Sequence, residues 1–167
     1  MIRPALPADL PLLGGIEASA ATLFLGTPMA FVIDHPLTPM AALTAACARG
    51  TLLVAVGADD TPQGFLLADV EDGWFHILEI SVHADAQRRG HGRDLVAQAA
   101  TVARRLDCRR LSLTTDRDIA WNGPWYRALG FAELAPDAAP DWLAGILRRE
   151  AAHGLDPARR CIMVKPL

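Results

Sequence analysis

The sequence predicts a mixed α/β fold in a single domain spanning residues 1–167. A chain of 167 residues with 51% apolar residues can form one large hydrophobic core but rarely two. Strand-like segments joined by short Gly/Asp turns occupy much of the first half, which predicts an antiparallel meander. A strand, a long amphipathic helix and another strand follow, which predicts one crossover connection in the centre.

The N-terminal elements are predicted to be an edge strand, at residues 3–5, and a helix. The helix should begin at residue 6 and end near residue 22, because Leu10, Leu13 and Ile16 are spaced to share one helical face. Two adjacent glycines inside this segment weaken its helical propensity. Its apolar stripe nevertheless favours a helix that packs on the sheet.

A loop and a second helix are predicted next. Residues 26–36 contain two prolines and no periodic pattern, so an irregular loop is expected there. In the following helix Thr38 is the expected N-cap and Pro39 suits the first turn. Gly50 can end this helix in a left-handed conformation.

The remaining elements alternate between short strands and helices. Strands are predicted at residues 51–56, 64–70, 74–82, 110–115, 131–134 and 161–164. Helices are predicted at residues 93–106, 124–129 and 141–152. The helix at 93–106 has the clearest amphipathic pattern, with apolar residues at helical spacing.

The bulk composition narrows the class of protein. No run of about 18 apolar residues predicts a membrane span, and the first residues lack the regions of a secretory signal. A net charge of −3 argues against general nucleic-acid binding. Cys47, Cys108 and Cys161 have no metal-ligand spacing and are interpreted as packing residues in a reducing compartment. We therefore expect a cytoplasmic protein with no metal, nucleic-acid or membrane partner.

The chemistry is expected where the strand at residues 74–82 passes through a glycine-containing loop into the long helix. Gly90 and Gly92 let backbone N–H groups approach a ligand without an intervening Cβ. The helix start adds unpaired N–H donors and partial positive charge, while Arg88, Arg89 and Arg93 add cations. Such a loop suits a pyrophosphate. The alternative is a glycine turn with a solvated basic face, since neither the dinucleotide fingerprint nor the phosphate-loop pattern is complete.

Two motifs resemble those of the GNAT acetyltransferase superfamily. The run from Val82 to Gly92, including Gln87, resembles the family's motif A, V-x-x-x-x-Q/R-x-x-G-x-G/A. Residues 125–131, Trp-Tyr-Arg-Ala-Leu-Gly-Phe, resemble its Y-x-x-x-G-F motif, and the predicted elements follow the family's order across the chain. The resemblance implies a central mixed, mostly antiparallel sheet of about six to seven strands, with helices on both faces and a splayed parallel pair.

The resemblance also implies that acetyl-CoA, as acyl donor, binds at the splayed pair. Its pantetheine arm would pair with the backbone around Ile80, Ser81 and Val82. Its pyrophosphate would lie on a loop, preceded by Gln87, whose amides belong to Arg88, Arg89, Gly90, His91, Gly92 and Arg93. Many family members have an asparagine seven positions before the motif tyrosine, where this chain has Ile119. Asn122 lies nearby and is the candidate for that contact with CoA.

Tyr126, the only tyrosine, lies where the family places its general acid. A phenol with a pKa of about 10 is protonated at neutral pH and can donate a proton to the departing CoA thiolate. The alternative is a tyrosine that packs on a helix face beside Trp125.

Glu79 is the candidate general base. An alkylamine with a pKa of about 10 arrives protonated, so a proton must be removed before it attacks the thioester. Strand alternation places Glu79 on one face with Ile77 and Ser81, and a carboxylate among apolar neighbours is unusual unless paired or functional. A structural salt bridge is the alternative, and His76 and His83 compete for the role of base.

The sequence therefore predicts an acetyl-CoA-dependent N-acetyltransferase that acts on a primary amine by direct attack in a ternary complex. A non-catalytic acyl-CoA-binding sensor or interaction module is the alternative, and the presence of Tyr126 and Glu79 favours the enzyme. The acceptor is expected over residues 24–36, the helix containing Trp142 and the Glu79 side of the sheet. Aromatic and apolar residues there favour an acceptor with an apolar or aromatic body. A homodimer is the default oligomeric state.

Overall fold

The computed structural model describes residues 1–167 as seven strands and five α-helices. The strands are β1 (Ile2–Pro4), β2 (Leu52–Val56), β3 (Pro62–Glu71), β4 (Trp74–Val82), β5 (Arg110–Asp116), β6 (Ala132–Leu134) and β7 (Arg160–Pro166). The helices are α1 (Leu10–Ala21), α2 (Met40–Arg49), α3 (His91–Arg105), α4 (Gly123–Ala128) and α5 (Asp141–Ala152). None of the helices is long and apolar enough to cross a membrane.

All seven strands belong to one sheet, in the order β1-β2-β3-β4-β5-β7-β6. The pairs β1–β2, β2–β3, β5–β7 and β6–β7 are antiparallel, and β4–β5 is parallel. The parallel pairing joins Trp74, Phe75 and His76 to Arg110, Leu111 and Ser112. This mixed, mostly antiparallel sheet with one parallel pair confirms the predicted fold class.

The chain divides into two compact units. The first comprises Met1–Asp69 and Ile77–Leu106, and the second comprises Val70–His76 and Asp107–Leu167. The single domain predicted for residues 1–167 is not tested by this division and stays a prediction.

In the first unit the core forms around β2. All five residues of β2 are buried, as expected for an apolar run covered on both faces. Leu52, Val54 and Val56 join a cluster that includes Leu13 of α1 and Leu43 of α2. Helix α3 also contacts β2. The apolar stripe predicted for the first helix is therefore confirmed, since Leu10, Leu13 and Ile16 are all buried.

In the second unit β5 pairs with β7 along its whole length, from Arg110 to Asp116. Leu143 of α5 packs on Ile162 and Val164 of β7. Glu150, also of α5, accepts a 2.6 Å hydrogen bond from the Thr114 hydroxyl. These contacts bind α5 to the two central strands of this unit.

The start of α2 corrects the sequence prediction. Thr38 does not cap this helix, because its side chain and backbone N–H both donate to the Glu17 carboxylate instead. The helix begins at Met40, and Pro39 lies before it rather than in its first turn. Gly50 ends it in the predicted left-handed conformation, with φ of 72°.

The segment between α1 and α2 contains no strand and no α-helix, as predicted for residues 26–36. It consists of two short 3-10 turns, Thr22–Phe24 and Ala30–Asp34, joined by bends. The hydroxyl of Thr27 donates to the carbonyl of Phe24 and accepts from the N–H of Met29. Such local bonds satisfy backbone groups that no ladder supplies.

All three cysteines are free thiols, and Cys108 and Cys161 are buried. Burial raises the pKa of Cys161 to about 11, so its thiol stays protonated and unreactive at neutral pH. This environment agrees with a packing role.

A buried carboxylate, Asp116, organises the loop between β5 and α4. It accepts hydrogen bonds from the N–H groups of Asp118 and Ile119, both at 2.9 Å, and from Arg159 at 2.9 and 3.1 Å. The loop then packs tightly on the start of α4. A Cβ on Gly123 would overlap the Arg117 carbonyl and lie 3.0 Å from the backbone carbonyl oxygen of Asp116.

Replacing Asp116 with Asn should destabilise the protein by about 2–4 kcal/mol, because Arg159 loses its buried anion. Burial raises the pKa of Asp116, but its hydrogen bonds and Arg159 outweigh burial and hold it below the usual 3.8. Its contribution is therefore fully present above that value and lost as the pH falls through the folded-state pKa.

The check is urea unfolding of wild type and Asp116→Asn at pH 7 and in acid. The stability difference should shrink in acid. Asp118→Asn, which changes an exposed carboxylate two residues away, is the control. Equal losses in the two variants would contradict a special role for Asp116.

Candidate active site

The connection between β4 and α3 is held by short-range hydrogen bonds. His83 Nδ1 accepts from the N–H of Asp85 at 3.3 Å, at the start of a 3-10 turn over Ala84–Ala86. The Gln87 side-chain amide donates to the Val82 carbonyl at 3.1 Å. The motif resemblance implies a cofactor-binding role for Gln87, which stays a prediction, and the structure shows that this side chain closes the loop onto the strand end.

The backbone N–H groups of residues 88–93 make no hydrogen bond with the rest of the protein. Two residues of this loop have left-handed backbone conformations, Arg88 with φ of 60° and Gly90 with φ of 91°. Helix α3 begins at His91, two residues earlier than predicted, so the amides that follow Gly90 belong to its first turn. Six consecutive N–H donors are therefore available at the positive end of a 15-residue helix.

Side chains around this helix start add positive charge. The side chains of Arg88, Arg89 and Arg93 are exposed, and no ion pair engages them. Asp94, in the first turn of α3, is the one acidic neighbour on the helix start. The arrangement suits an anion with several oxygens, such as a pyrophosphate.

The two glycines of this loop serve different purposes. Gly90 requires the left-handed conformation, in which side chains other than glycine are strained. Gly92 is the second residue of α3 and has an ordinary negative φ. Of the two, only Gly90 has a backbone conformation that favours glycine over other residues.

Glu79 is a half-buried carboxylate on β4 that no cationic side chain neutralises. Burial, with a smaller contribution from the nearby Glu17 carboxylate, raises its pKa to about 7. The Ser81 hydroxyl acts in the opposite direction, donating a 2.7 Å hydrogen bond to Oε1. The bond confirms that Glu79 and Ser81 share a face of the strand. The salt bridge considered as an alternative is absent.

The two competing histidines have structural partners. His76 is buried in the second unit, where Nδ1 lies 2.9 Å from the Ser112 hydroxyl and the ring meets Trp142 edge to face at 5.5 Å. His83 uses Nδ1 to accept a backbone N–H in the first unit. In both histidines Nδ1 therefore already has a partner within the protein. No group of three or more His, Cys, Asp or Glu side chains is placed to hold a metal ion.

Tyr126 lies in the second unit, buried on α4. Its ring meets Trp125 at 4.8 Å and Phe131 at 5.5 Å, both edge to face. Its N–H donates to the carbonyl of Asn122, the residue before the helix. The Asn122 side chain makes no capping bond, and its N–H donates to the Ile119 carbonyl.

The predicted site residues therefore fall into two groups. One continuous strand, loop and helix in the first unit contains Glu79, Ile80, Ser81, Val82, Gln87 and residues 88–93. Tyr126 and Asn122 lie in the second unit.

Sequence reasoning missed three residues that shape these groups. Asp116 and Gly123 shape the loop before α4. The Gly-Pro pair at the start of that helix was the only sequence feature that could have indicated the close packing at Gly123. Glu17 affects Glu79 from a helix far away in the sequence, and no local pattern indicates that.

Solved structures with the same fold include three acetyl-transferring or acetylglutamate-forming proteins. A PaiA N-acetyltransferase from Thermoplasma acidophilum, in complex with coenzyme A, is 16% identical with a TM-score of 0.75, over 100% of this chain and 98% of that one. A ribosomal-protein-alanine N-acetyltransferase from Brucella melitensis is 21% identical with a TM-score of 0.69, over 100% and 99%.

N-acetylglutamate synthase from Neisseria gonorrhoeae, complexed with coenzyme A and N-acetyl-glutamate, is 20% identical with a TM-score of 0.72. The match covers 100% of this chain but 35% of that one, so this chain spans about a third of that protein's length. At these low sequence identities, the similarity to the three structures establishes the fold alone. The sequence model of the acetyltransferase (GNAT) family matches residues 24–131, well over half of the chain. The chain therefore belongs to the acetyltransferase (GNAT) family.

Proposed function

We propose that this protein is an acetyl-CoA-dependent N-acetyltransferase, which moves an acetyl group to a primary amine by direct attack in a ternary complex. The observation that carries the proposal is the run of six unpaired N–H groups at residues 88–93. It follows directly on the strand that carries Glu79, a carboxyl group with a pKa of about 7. Family membership supports acetyl transfer as the reaction.

The acetyl-CoA pyrophosphate would accept hydrogen bonds from the amides of residues 88–93. Each such bond to a charged oxygen is stronger than one between neutral groups, and the start of α3 adds its partial positive charge. The exposed guanidinium groups of Arg88, Arg89 and Arg93 supply counter-charge. The backbone around Ile80–Val82 would hold the pantetheine arm, and Asn122 is the candidate for a further contact with CoA.

Glu79 would remove the proton from the acceptor ammonium. A base is most effective when its pKa lies near the working pH, and burial brings Glu79 into that range. Above pH 7 the carboxylate form predominates and can accept the proton. The amine nitrogen can then attack the thioester carbonyl, and the acetyl–sulfur bond breaks.

Tyr126 would donate its phenolic proton to the CoA thiolate that leaves, and the phenolate would regain a proton from the nitrogen of the newly acylated amine. Its ring is fixed by Trp125 and Phe131, and α4 is fixed in turn by the tight packing at Gly123. A general acid needs such positioning, because its proton must lie within hydrogen-bond distance of the sulfur on which negative charge develops.

The acceptor is proposed to have an apolar or aromatic body. Leu25 and Phe31 of the segment between α1 and α2 are exposed, and so is Leu78, next to Glu79. Exposed side chains of this kind favour an acceptor that buries apolar surface.

The experiment that tests the function is an acetyl-transfer screen against amines with aliphatic, aromatic and peptide bodies, corrected for acetyl-CoA hydrolysis. We expect transfer to at least one amine, with amines of apolar body preferred over polar amines of equal basicity. Tight acetyl-CoA binding without transfer to any amine would instead support the non-catalytic acyl-CoA-binding module.

Replacing Glu79 with Gln should remove the acidic limb of the pH profile of kcat/KM. In wild type this limb should rise through about pH 7, because protonated Glu79 cannot accept the amine proton. The amine itself titrates near 10, so the two limbs can be separated. Ser81→Ala is a matched variant, since loss of its hydrogen bond should move the limb to higher pH. An intact acidic limb in Glu79→Gln would assign the base elsewhere.

Replacing Tyr126 with Phe should lower kcat by about 10²- to 10⁴-fold with little change in acetyl-CoA affinity. Phenylalanine keeps the ring contacts with Trp125 and Phe131. The measurements are steady-state kinetics and calorimetry of acetyl-CoA binding. Trp125→Phe perturbs the same ring cluster but keeps the phenol, and it should retain most of kcat. Wild-type kinetics in Tyr126→Phe would show that the thiolate leaves without this proton.

A further inference from the structure

Helix α1 is linked by side-chain hydrogen bonds to two segments of the proposed site. Both oxygens of the Glu17 carboxylate accept from the N–H of Thr38, at 3.1 and 3.0 Å, and Oε1 also accepts from its hydroxyl at 3.1 Å. Thr38 ends the segment that connects α1 to α2. Two residues along α1, the Ser19 hydroxyl accepts from the N–H of Ala84 at 3.1 Å. Ala84 begins the turn that leads to residues 88–93.

The negative charge of Glu17 also acts on Glu79 of β4, where it adds to the effect of burial in raising the pKa of that carboxyl group. Glu17 is the one charged side chain that contributes to the raised pKa of Glu79. Asp34 and His35 on the connecting segment do not contribute to the pKa of Glu79, and neither do His83 and Asp85 beside the Ala84 turn.

We propose that Glu17 is a positioning residue that fixes the segment between α1 and α2 at Thr38 and places a second carboxylate beside Glu79. The inference rests on the proposed function, in which Glu79 is the base and this segment lies over the acceptor. The three hydrogen bonds at Thr38 close a loop of about 20 residues, whose backbone hydrogen bonds are those of short local turns. The Glu17 carboxylate thereby links the order of the segment between α1 and α2 to the protonation of Glu79.

Two substitutions distinguish the anchoring of Thr38 from the effect of the charge. Glu17→Gln keeps a side-chain oxygen that can accept from Thr38 but removes the negative charge. Glu17→Ala removes both the acceptor oxygens and the charge. Asp34→Asn removes a carboxylate from the same segment without touching Thr38, and serves as the charge control.

The first measurement is a carbon-13 NMR titration of glutamate-labelled protein, in which the Glu79 signal is identified by its loss in Glu79→Gln. We expect a midpoint near 7 in wild type and in Asp34→Asn, and a lower midpoint in Glu17→Gln. The acidic limb of kcat/KM should move in the same direction. An unchanged midpoint in Glu17→Gln would overturn the electrostatic part of the proposal.

The second measurement is hydrogen exchange over the segment between α1 and α2. Exchange should be faster in Glu17→Ala than in wild type and close to wild type in Glu17→Gln, with α3 as the internal reference. Equal exchange in all three proteins would overturn the anchoring part. Neither measurement requires turnover, so their outcome is distinct from that of the acetyl-transfer screen.

Discussion

The site depends on how the chain leaves β4 and enters α3. Gly90 adopts a left-handed conformation, with φ of 91°, directly before the first residue of the helix. Because of that turn, the N–H groups of residues 88–93 have no partner within the protein and are available to an anion. Gln87 closes the loop onto Val82, so the backbone is ordered before a ligand arrives. Preorganised donors of this kind bind an anion at little further entropic cost.

A second constraint is the burial of acidic groups, which has opposite consequences in the two units. Asp116 receives four hydrogen bonds, two of them from Arg159, and its pKa falls below the usual value. Glu79 has no cation beside it, and burial outweighs its hydrogen bonds with the Ser81 hydroxyl and the Ile80 backbone, so its pKa rises to about 7. The first carboxylate is therefore an anion at neutral pH, and it orders the loop before α4. The second is suited to exchanging a proton near neutral pH.

Much of the fold could be predicted because local signals were strong. The bounds of β4 and α5 match the predictions, since turn residues flank the strand and a proline precedes the helix. The start of α3 was placed two residues late, because Gly90 lets His91 and Gly92 already be helical. The interaction of Thr38 with Glu17 was missed, because the two residues are 21 positions apart and a capping threonine was the simpler local interpretation. For the same reason the sequence could nominate Glu79 but not its raised pKa, which depends on burial and a distant helix.

Calorimetry of acetyl-CoA binding to wild type, Gly90→Val and Gly154→Val tests directly whether the start of α3 binds the cofactor. Both glycines have φ of 91°, so both variants introduce the same backbone strain, and Gly154 lies in the turn after α5 with open space around it. We predict that Gly90→Val loses affinity by ~10-fold or more, whereas Gly154→Val binds as wild type does. Wild-type affinity in a folded Gly90→Val protein would contradict the binding of acetyl-CoA at the start of α3.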